Sequence, residues 1–214
     1  MFGLPSSTEV SQRLPKEAFY RNMKVSQREK DLMVSDVERI TVVNVVSPRT
    51  ANLQDGHRVH EILVIDITPR DGEVPDDVLA LINRANHSRM VLYDDGASTL
   101  SVIVRGGKYK GGVPENGLEL RGRNLDEAWE SLVSQIVFSD PDGTDLESRL
   151  QRKRELDLLF KEREQLNRTM RKERQIVRRN ELYDQYRAVC EQVEELQRRI
   201  SSRNDTKGTE RGEG

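Results

Sequence analysis

Apolar and polar residues alternate in two different ways along this chain, and the change divides it into two parts. In the first part, β-branched runs bounded by turn residues predict strands, because such side chains pack well on a pleated sheet. Asp95-Gly96 separates two further runs and suits the positive φ angles of a tight hairpin turn. A further short run lies at 118–122. The expected strands are therefore 40–46, 61–67, 89–95, 98–104 and 118–122.

Between these runs, apolar residues recur every three or four positions, which is typical of helices with one buried face. The capping-box pattern at 26–29 marks one helix start, and Asn124, three residues before Glu127, marks another. The expected helices are 14–22, 26–37, 74–86 and 124–137. The order of the elements predicts a small mixed-sheet domain of the α/β or α+β class over residues 1–138.

The second part is a charged helical, coiled-coil arm over residues 146–202, which follows a turn-rich linker at 139–145. Its clearest apolar positions step by four and three, as in a coiled-coil seam. We call Leu182, Tyr186, Val189, Val193, Leu196 and Ile200 the distal seam. A second and poorer seam comprises Leu159, Leu166, Met170 and Val177.

The interval from Val177 to Leu182 breaks the register between the two seams. The arm is therefore either one long helix or a helical hairpin that turns near 167–172. No Gly or Pro lies between Leu146 and Ile200, and this slightly favours one continuous helix. Residues 203–214 contain no apolar side chain and are expected to be disordered.

Composition and charge limit the kinds of surface and the cellular compartment that can be expected for this protein. Of the 214 residues, 34% are charged, against about 25% in typical globular proteins. The net charge is −2, with 17 Lys and Arg against 22 Asp and Glu before Asp145, and 18 against 15 from there on. Only a local basic surface is therefore expected. With one cysteine, Cys190, no secretory signal pattern and no apolar run near the roughly 20 residues of a membrane span, a reducing cytoplasm is expected.

Three stretches together carry a resemblance to a known family: FGLPSSTEVSQRLPKEAFY, LELRGRNLDEAWESLVSQI and RKERQIVRRNELYDQYRAVCEQVEEL. The chain resembles the bacterial domain-of-unknown-function family DUF4391 in this order of motifs. The resemblance implies an α/β part followed by a charged helical part, and it implies no established activity. Genes of such proteins often lie beside those of DNA methyltransferases and helicases. This context implies an accessory role in restriction or phage defence.

The sequence gives only weak support for catalytic or metal-binding groups. Glu38, Glu61 and Asp66 lie on or beside strands, but they do not form the acid-x-Lys pair on one strand that metal-dependent nucleases use. His57 and His60 lack further zinc ligands nearby. The segment GGKYKGG (106–112) lacks the Gly-Lys-Ser/Thr of a phosphate-binding loop, and its composition indicates a flexible connection. We therefore expect no catalytic residue, no metal and no cofactor.

Cations gather at one place in the arm, between the two seams. Three interpretations remain open for them: a solvated coiled-coil face, a nucleic-acid contact, or a surface for an acidic protein. The candidate nucleic-acid contacts are Arg171, Lys172, Arg174, Arg178 and Arg179, with Lys108 and Lys110 of the glycine-rich segment.

The leading hypothesis from the sequence is a non-enzymatic accessory subunit whose distal seam is buried in a homodimer, in a hairpin, or against a larger protein. By resemblance, that larger protein is a helicase or DNA methyltransferase. The alternative is a metal-dependent nucleic-acid-processing enzyme or a direct DNA-binding subunit. No membrane partner is expected.

Overall fold

The computed structural model of the protein describes the backbone from Phe2 to Thr209, and the side chains of these residues except Asn22 and residues 199–209. The chain divides into two compact units, residues 1–144 and residues 145–214. Within the described residues, no helix is both long and apolar enough to cross a bilayer.

The first unit is built on a six-stranded mixed sheet whose strands lie side by side in chain order. Neighbouring strands are antiparallel, except for the third and fourth, which run parallel and are connected by a helix. The strands are β1 (Glu9–Arg13), β2 (Val37–Val46), β3 (Ile62–Pro69), β4 (Arg89–Asp94), β5 (Thr99–Val104) and β6 (Gly107–Gly112). The helices are α1 (Lys16–Asn22), α2 (Gln27–Asp36), α3 (Pro48–Ala51), α4 (Asp76–Arg84) and α5 (Leu125–Phe138). A mixed sheet followed by long helices confirms the expected fold class.

Both faces of the sheet are covered by helices. On one face, Met33 of α2 and Ile82 of α4 share a core with Ile65 and Leu92 of the central strands. Helix α5 covers the other face at β5 and β6. The capping box of α2 and the Asn124 cap of α5 are both present, which confirms the predicted starts of these helices.

The two edge strands escape prediction, because neither carries a strand pattern. All five residues of β1 are exposed, and β6 is the glycine-rich segment whose composition indicates a flexible connection. Each pairs along one side with a regular neighbour, so backbone hydrogen bonds rather than side chains define it. The strand expected at 118–122 is wrong: Leu118 is buried there, but the segment is irregular.

The hairpin between β4 and β5 is present where predicted, with a different turn. Its loop comprises four residues, 95–98, and the positive φ lies at Ser98 rather than at Gly96. The buried Asp94 carboxylate accepts hydrogen bonds from the N–H groups of Gly96 and Ala97. A Cβ at Gly96 would lie 2.0 Å from the carbonyl oxygen of Gly72. Glycine is therefore needed at position 96 because two backbone segments approach each other closely, and not because the turn requires a positive φ angle.

The segment predicted as a linker is held on α5. The Ser131 hydroxyl donates to the Pro141 carbonyl at 2.7 Å, and the Ser134 hydroxyl donates to the Asp142 carbonyl at 2.8 Å. A Cβ at Gly143 would lie 2.7 Å from the backbone nitrogen of Ser131. Residues 139–143 therefore belong to the packing of the first unit.

The second unit is a helical hairpin of α6 (Leu146–Lys172) and α7 (Ile176–Thr209), and the preference for one continuous helix is wrong. The helices pack along each other, and a connection of only three residues makes them antiparallel. Folding back buries Val189, Val193 and Leu196 of the distal seam and partly buries the second seam, which a single straight helix would leave in water. Helix α7 continues through residues 203–209, where the sequence predicts disorder. Residues 210–214 lie outside the described residues.

Candidate nucleic-acid interface

The hairpin tip, residues 171–179, is shaped by Glu173. Its backbone N–H continues α6 by donating to the carbonyls of Thr169 and Met170. Its backbone is then extended, with φ −75° and ψ 127°. The carboxylate accepts hydrogen bonds from the N–H groups of Gln175 at 2.9 Å and Arg174 at 2.8 Å, and these bonds lower the pKa of Glu173. A glutamate thus performs the turn for which the sequence offers no glycine or proline.

The five predicted cations of the arm all lie at this tip with exposed side chains: Arg171, Lys172, Arg174, Arg178 and Arg179. The tip contains one acid, Glu173, which lies 3.7 Å from Arg178. Five positive charges therefore face one negative charge at the end of the hairpin. This excess gives the tip the electrostatic character of a phosphate-binding surface.

The distal seam is packed within its own chain. Val189, Val193 and Leu196 are 6%, 2% and 8% exposed, and Leu182 and Tyr186 are half-buried. The side chain of Ile200 lies outside the described residues. On α6, the half-buried positions include Leu159, Leu166 and Met170 of the second predicted seam. Since α6 covers this seam, a partner that binds it would have to displace α6.

The lysines of β6 are engaged in ion pairs of the first unit. Lys108 pairs with Asp76 at the start of α4, and Lys110 lies 3.6 Å from both Glu73 and Asp76. The hydrogen bond from Lys108 lowers the pKa of Asp76. Tyr109 between them is buried. The basic-aromatic pattern of this segment therefore serves the contact between the sheet and α4, and its charges are partly neutralised before any phosphate approaches.

The strand acids do not form a common site. Glu61 precedes β3 and accepts a hydrogen bond from the Ser88 hydroxyl, whereas Asp66 lies five residues further, about 16 Å along an extended strand. Burial and the charge of Asp95 raise the pKa of Asp66, against the effect of Arg39. One oxygen of Asp66 is buried without a hydrogen-bond partner among the described residues.

The other candidate metal ligands also have structural contacts. His60 lies 3.0 Å from Asp55, and the backbone N–H of His57 donates to Asp126. Across the part of the chain that the structure describes, no three His, Cys, Asp or Glu side chains come together in a metal-binding group.

Sequence reasoning misses an apolar feature of the tip. Ile176 and Val177 are 67% and 73% exposed, the highest values for large apolar side chains among the described residues. The pattern assigns Val177 to the second seam, and the structure shows that it does not contribute to that seam. The break in register between Val177 and Leu182 is the signal that could have revealed this.

Comparison with protein-family models identifies the region around the sheet. A family model described as Domain of unknown function (DUF4391) matches residues 2–110. The matched region contains β1 to β5, ends within β6, and does not include α5 or the helical hairpin. No curated protein and no solved structure matches the chain.

Proposed function

The chain belongs to the DUF4391 family, and from this premise we propose that it is a non-enzymatic accessory subunit that binds nucleic acid through the hairpin tip. The family description assigns no activity, so the proposal depends on surfaces of this chain. The observation that carries it is the cluster of five exposed cations around a single acid. A chain whose net charge is −2 has no general affinity for polyanions, and the tip supplies a local one.

The packing of the hairpin supports a binding role for the tip. Two antiparallel helices form a stiff support, because the distal seam and α6 bury each other's apolar side chains. The cations therefore project together from one end of a rigid element. Lys and Arg side chains arranged in this way neutralise neighbouring phosphates and release their counterions.

The larger partner remains part of the proposal. A helicase or DNA methyltransferase of a restriction or phage-defence cluster, in the cytoplasm, is the partner that the family resemblance implies. Both act on DNA, so an accessory subunit with a basic tip would contact the same polymer as its partner. In this arrangement the first unit, which carries the family-matched sheet, is available for the protein contact.

The proposal is tested by the salt dependence of binding. Fluorescence anisotropy of a labelled DNA duplex measures the affinity of the full chain between about 50 and about 200 mM salt. If each of the five cations neutralises one phosphate, affinity falls about 500-fold over this range. Replacing Arg171, Lys172, Arg174, Arg178 and Arg179 by Gln should remove most of the affinity. The same variant should lower the slope of log K against log salt by about 0.9 for each phosphate that is no longer neutralised.

A matched control replaces exposed cations elsewhere. Replacing Arg13, Arg21, Lys24, Arg123 and Lys161 by Gln also removes five positive charges from exposed side chains. This variant should retain most of the affinity and the original slope, since a local surface rather than net charge governs the binding. Equal reductions of affinity in the two variants, or no binding by the unchanged protein, would show that the tip is only a solvated helical end.

A further inference from the structure

The two most exposed large apolar side chains in the described part of the chain are neighbours, Ile176 and Val177, and both lie inside the cation cluster. The next in rank, Leu158, is 64% exposed and lies on α6 well away from the tip. Isolated exposed apolar residues are common and need no explanation. An adjacent pair at the outermost turn of a rigid hairpin differs from these, because it forms a small apolar surface surrounded by arginines.

We infer that the tip binds a junction between double-stranded and single-stranded nucleic acid, with Ile176 and Val177 inserted against the exposed terminal base pair. The inference rests on the proposed function and specifies its substrate class. Flat base faces provide apolar surface, and phosphates surround them, so this ligand complements both the apolar pair and the cations.

The arrangement of charge around the pair fits two strands. Arg171 and Lys172 end α6, whereas Arg178 and Arg179 lie in the first turns of α7. Packed helices have axes about 8–10 Å apart, so cations stand on both sides of the three-residue connection. A wedge between them can meet the bases while each side holds the phosphates of one strand.

The side chains themselves suit insertion. Ile and Val are β-branched and hold few rotamers, so little conformational entropy is lost when they become buried. Apolar wedges between base steps unstack duplexes at a considerable cost. That cost is smallest where neighbouring bases are already unpaired, and a fork is therefore favoured over an uninterrupted duplex.

The experiment compares three labelled DNAs of equal length: a forked duplex, a blunt duplex and a single strand. For the full chain, affinity should be at least about tenfold higher for the fork than for the blunt duplex, as expected from burying even one of the two apolar side chains. A 2-aminopurine at the last base pair before the fork should brighten on binding, because its stacking is lost.

The variant Ile176→Ser with Val177→Ser should lose the fork preference and the 2-aminopurine signal while the salt slope stays unchanged. Both residues are exposed, so the helical content should be preserved in circular dichroism. Leu158→Ser, a matched change at an exposed apolar position of the same hairpin, should keep the preference and the signal.

The outcomes separate this inference from the proposed function. Salt-dependent binding with equal affinity for fork and blunt duplex overturns the wedge and leaves the phosphate contact in place. Absence of DNA binding overturns both. A further assay measures sedimentation of the protein with vesicles of phosphatidylserine and phosphatidylcholine. If the protein shows no fork preference but binds these vesicles, and the double variant does not bind them, the apolar pair contacts a lipid surface and the inference is overturned.

Discussion

The glycines of GGKYKGG differ in their backbone conformation and in the space around them. Gly106 has a φ of +74°, which the turn between β5 and β6 requires. Gly111 has no such angle, but a Cβ there would lie 1.8 Å from the carbonyl oxygen of Ile136. A Cβ at Gly112 would have no neighbouring atom within 4 Å. What looks like a flexible segment in the sequence is thus a strand that lacks side chains where α5 approaches it.

Gly111→Ala should destabilise the protein by about 3 kcal/mol, since the methyl group collides with backbone that cannot rotate away. The measurement is the free energy of unfolding in urea at neutral pH. Gly112→Ala, the adjacent and chemically identical change, should alter it by less than about 0.5 kcal/mol. Similar effects of the two substitutions would contradict the close approach of α5 to β6.

The helices of the hairpin illustrate how one register break changes the topology. The distal seam keeps its four-three spacing from Leu182 to Leu196, and its central residues are the most buried among the described side chains of α7. Val177 lies five residues before Leu182, which does not fit the four-three spacing, and its side chain is exposed. The chain between them is helical, so the break is not a disruption of α7 but the point where its apolar face leaves α6.

Val193→Asp should open the hairpin, because an uncompensated charge at a 2% exposed position costs about 3 kcal/mol or more. Helical content in circular dichroism should fall, and limited proteolysis should cut within α6 and α7. Leu158→Asp, at a 64% exposed position of the same unit, should leave both readouts unchanged. If Val193→Asp instead dissociates an oligomer in sedimentation with its helical content intact, the distal seam is an interface between chains.

The division of the chain into units lies at residue 144 rather than at the end of α5. Ser131 and Ser134 hold residues 141 and 142 against the helix, although the sequence predicts a free linker there. Each unit has its own buried apolar residues: the sheet and its helices in one, the distal seam in the other. The first unit, which contains the family-matched region, has the anatomy of an independent domain.

A chain truncated after residue 144 should unfold in one cooperative transition in urea. Truncation after residue 138 should lower its free energy of unfolding by about 2 kcal/mol, because two buried serine hydroxyls lose their carbonyl acceptors at about 1 kcal/mol each. Replacing both Ser131 and Ser134 by Ala in the longer chain tests the same hydrogen bonds without truncation. Equal stability of the two truncated chains would return residues 139–143 to the status of a linker.

Local pattern is sufficient for much of this protein. Hydrophobic periodicity and capping residues place β2, β3, α2, α4 and α5, because their positions depend on neighbours within one or two turns. The motif order also indicates the family that the model match identifies. The same pattern locates the five cations, since a cluster within nine residues is visible in the sequence itself.

Contacts between distant residues decide the rest. Periodicity shows that a face must be buried but does not identify what buries it, and in the hairpin it is α6 that covers Val189 and Val193. The charges of Lys108 and Lys110 are balanced by Glu73 and Asp76, more than thirty positions away in the sequence. Ile176 and Val177 lie where the chain reverses, and neither is covered by the packing of α6 on α7. Exposure and charge balance are properties of surfaces, and surfaces exist only once remote segments have packed.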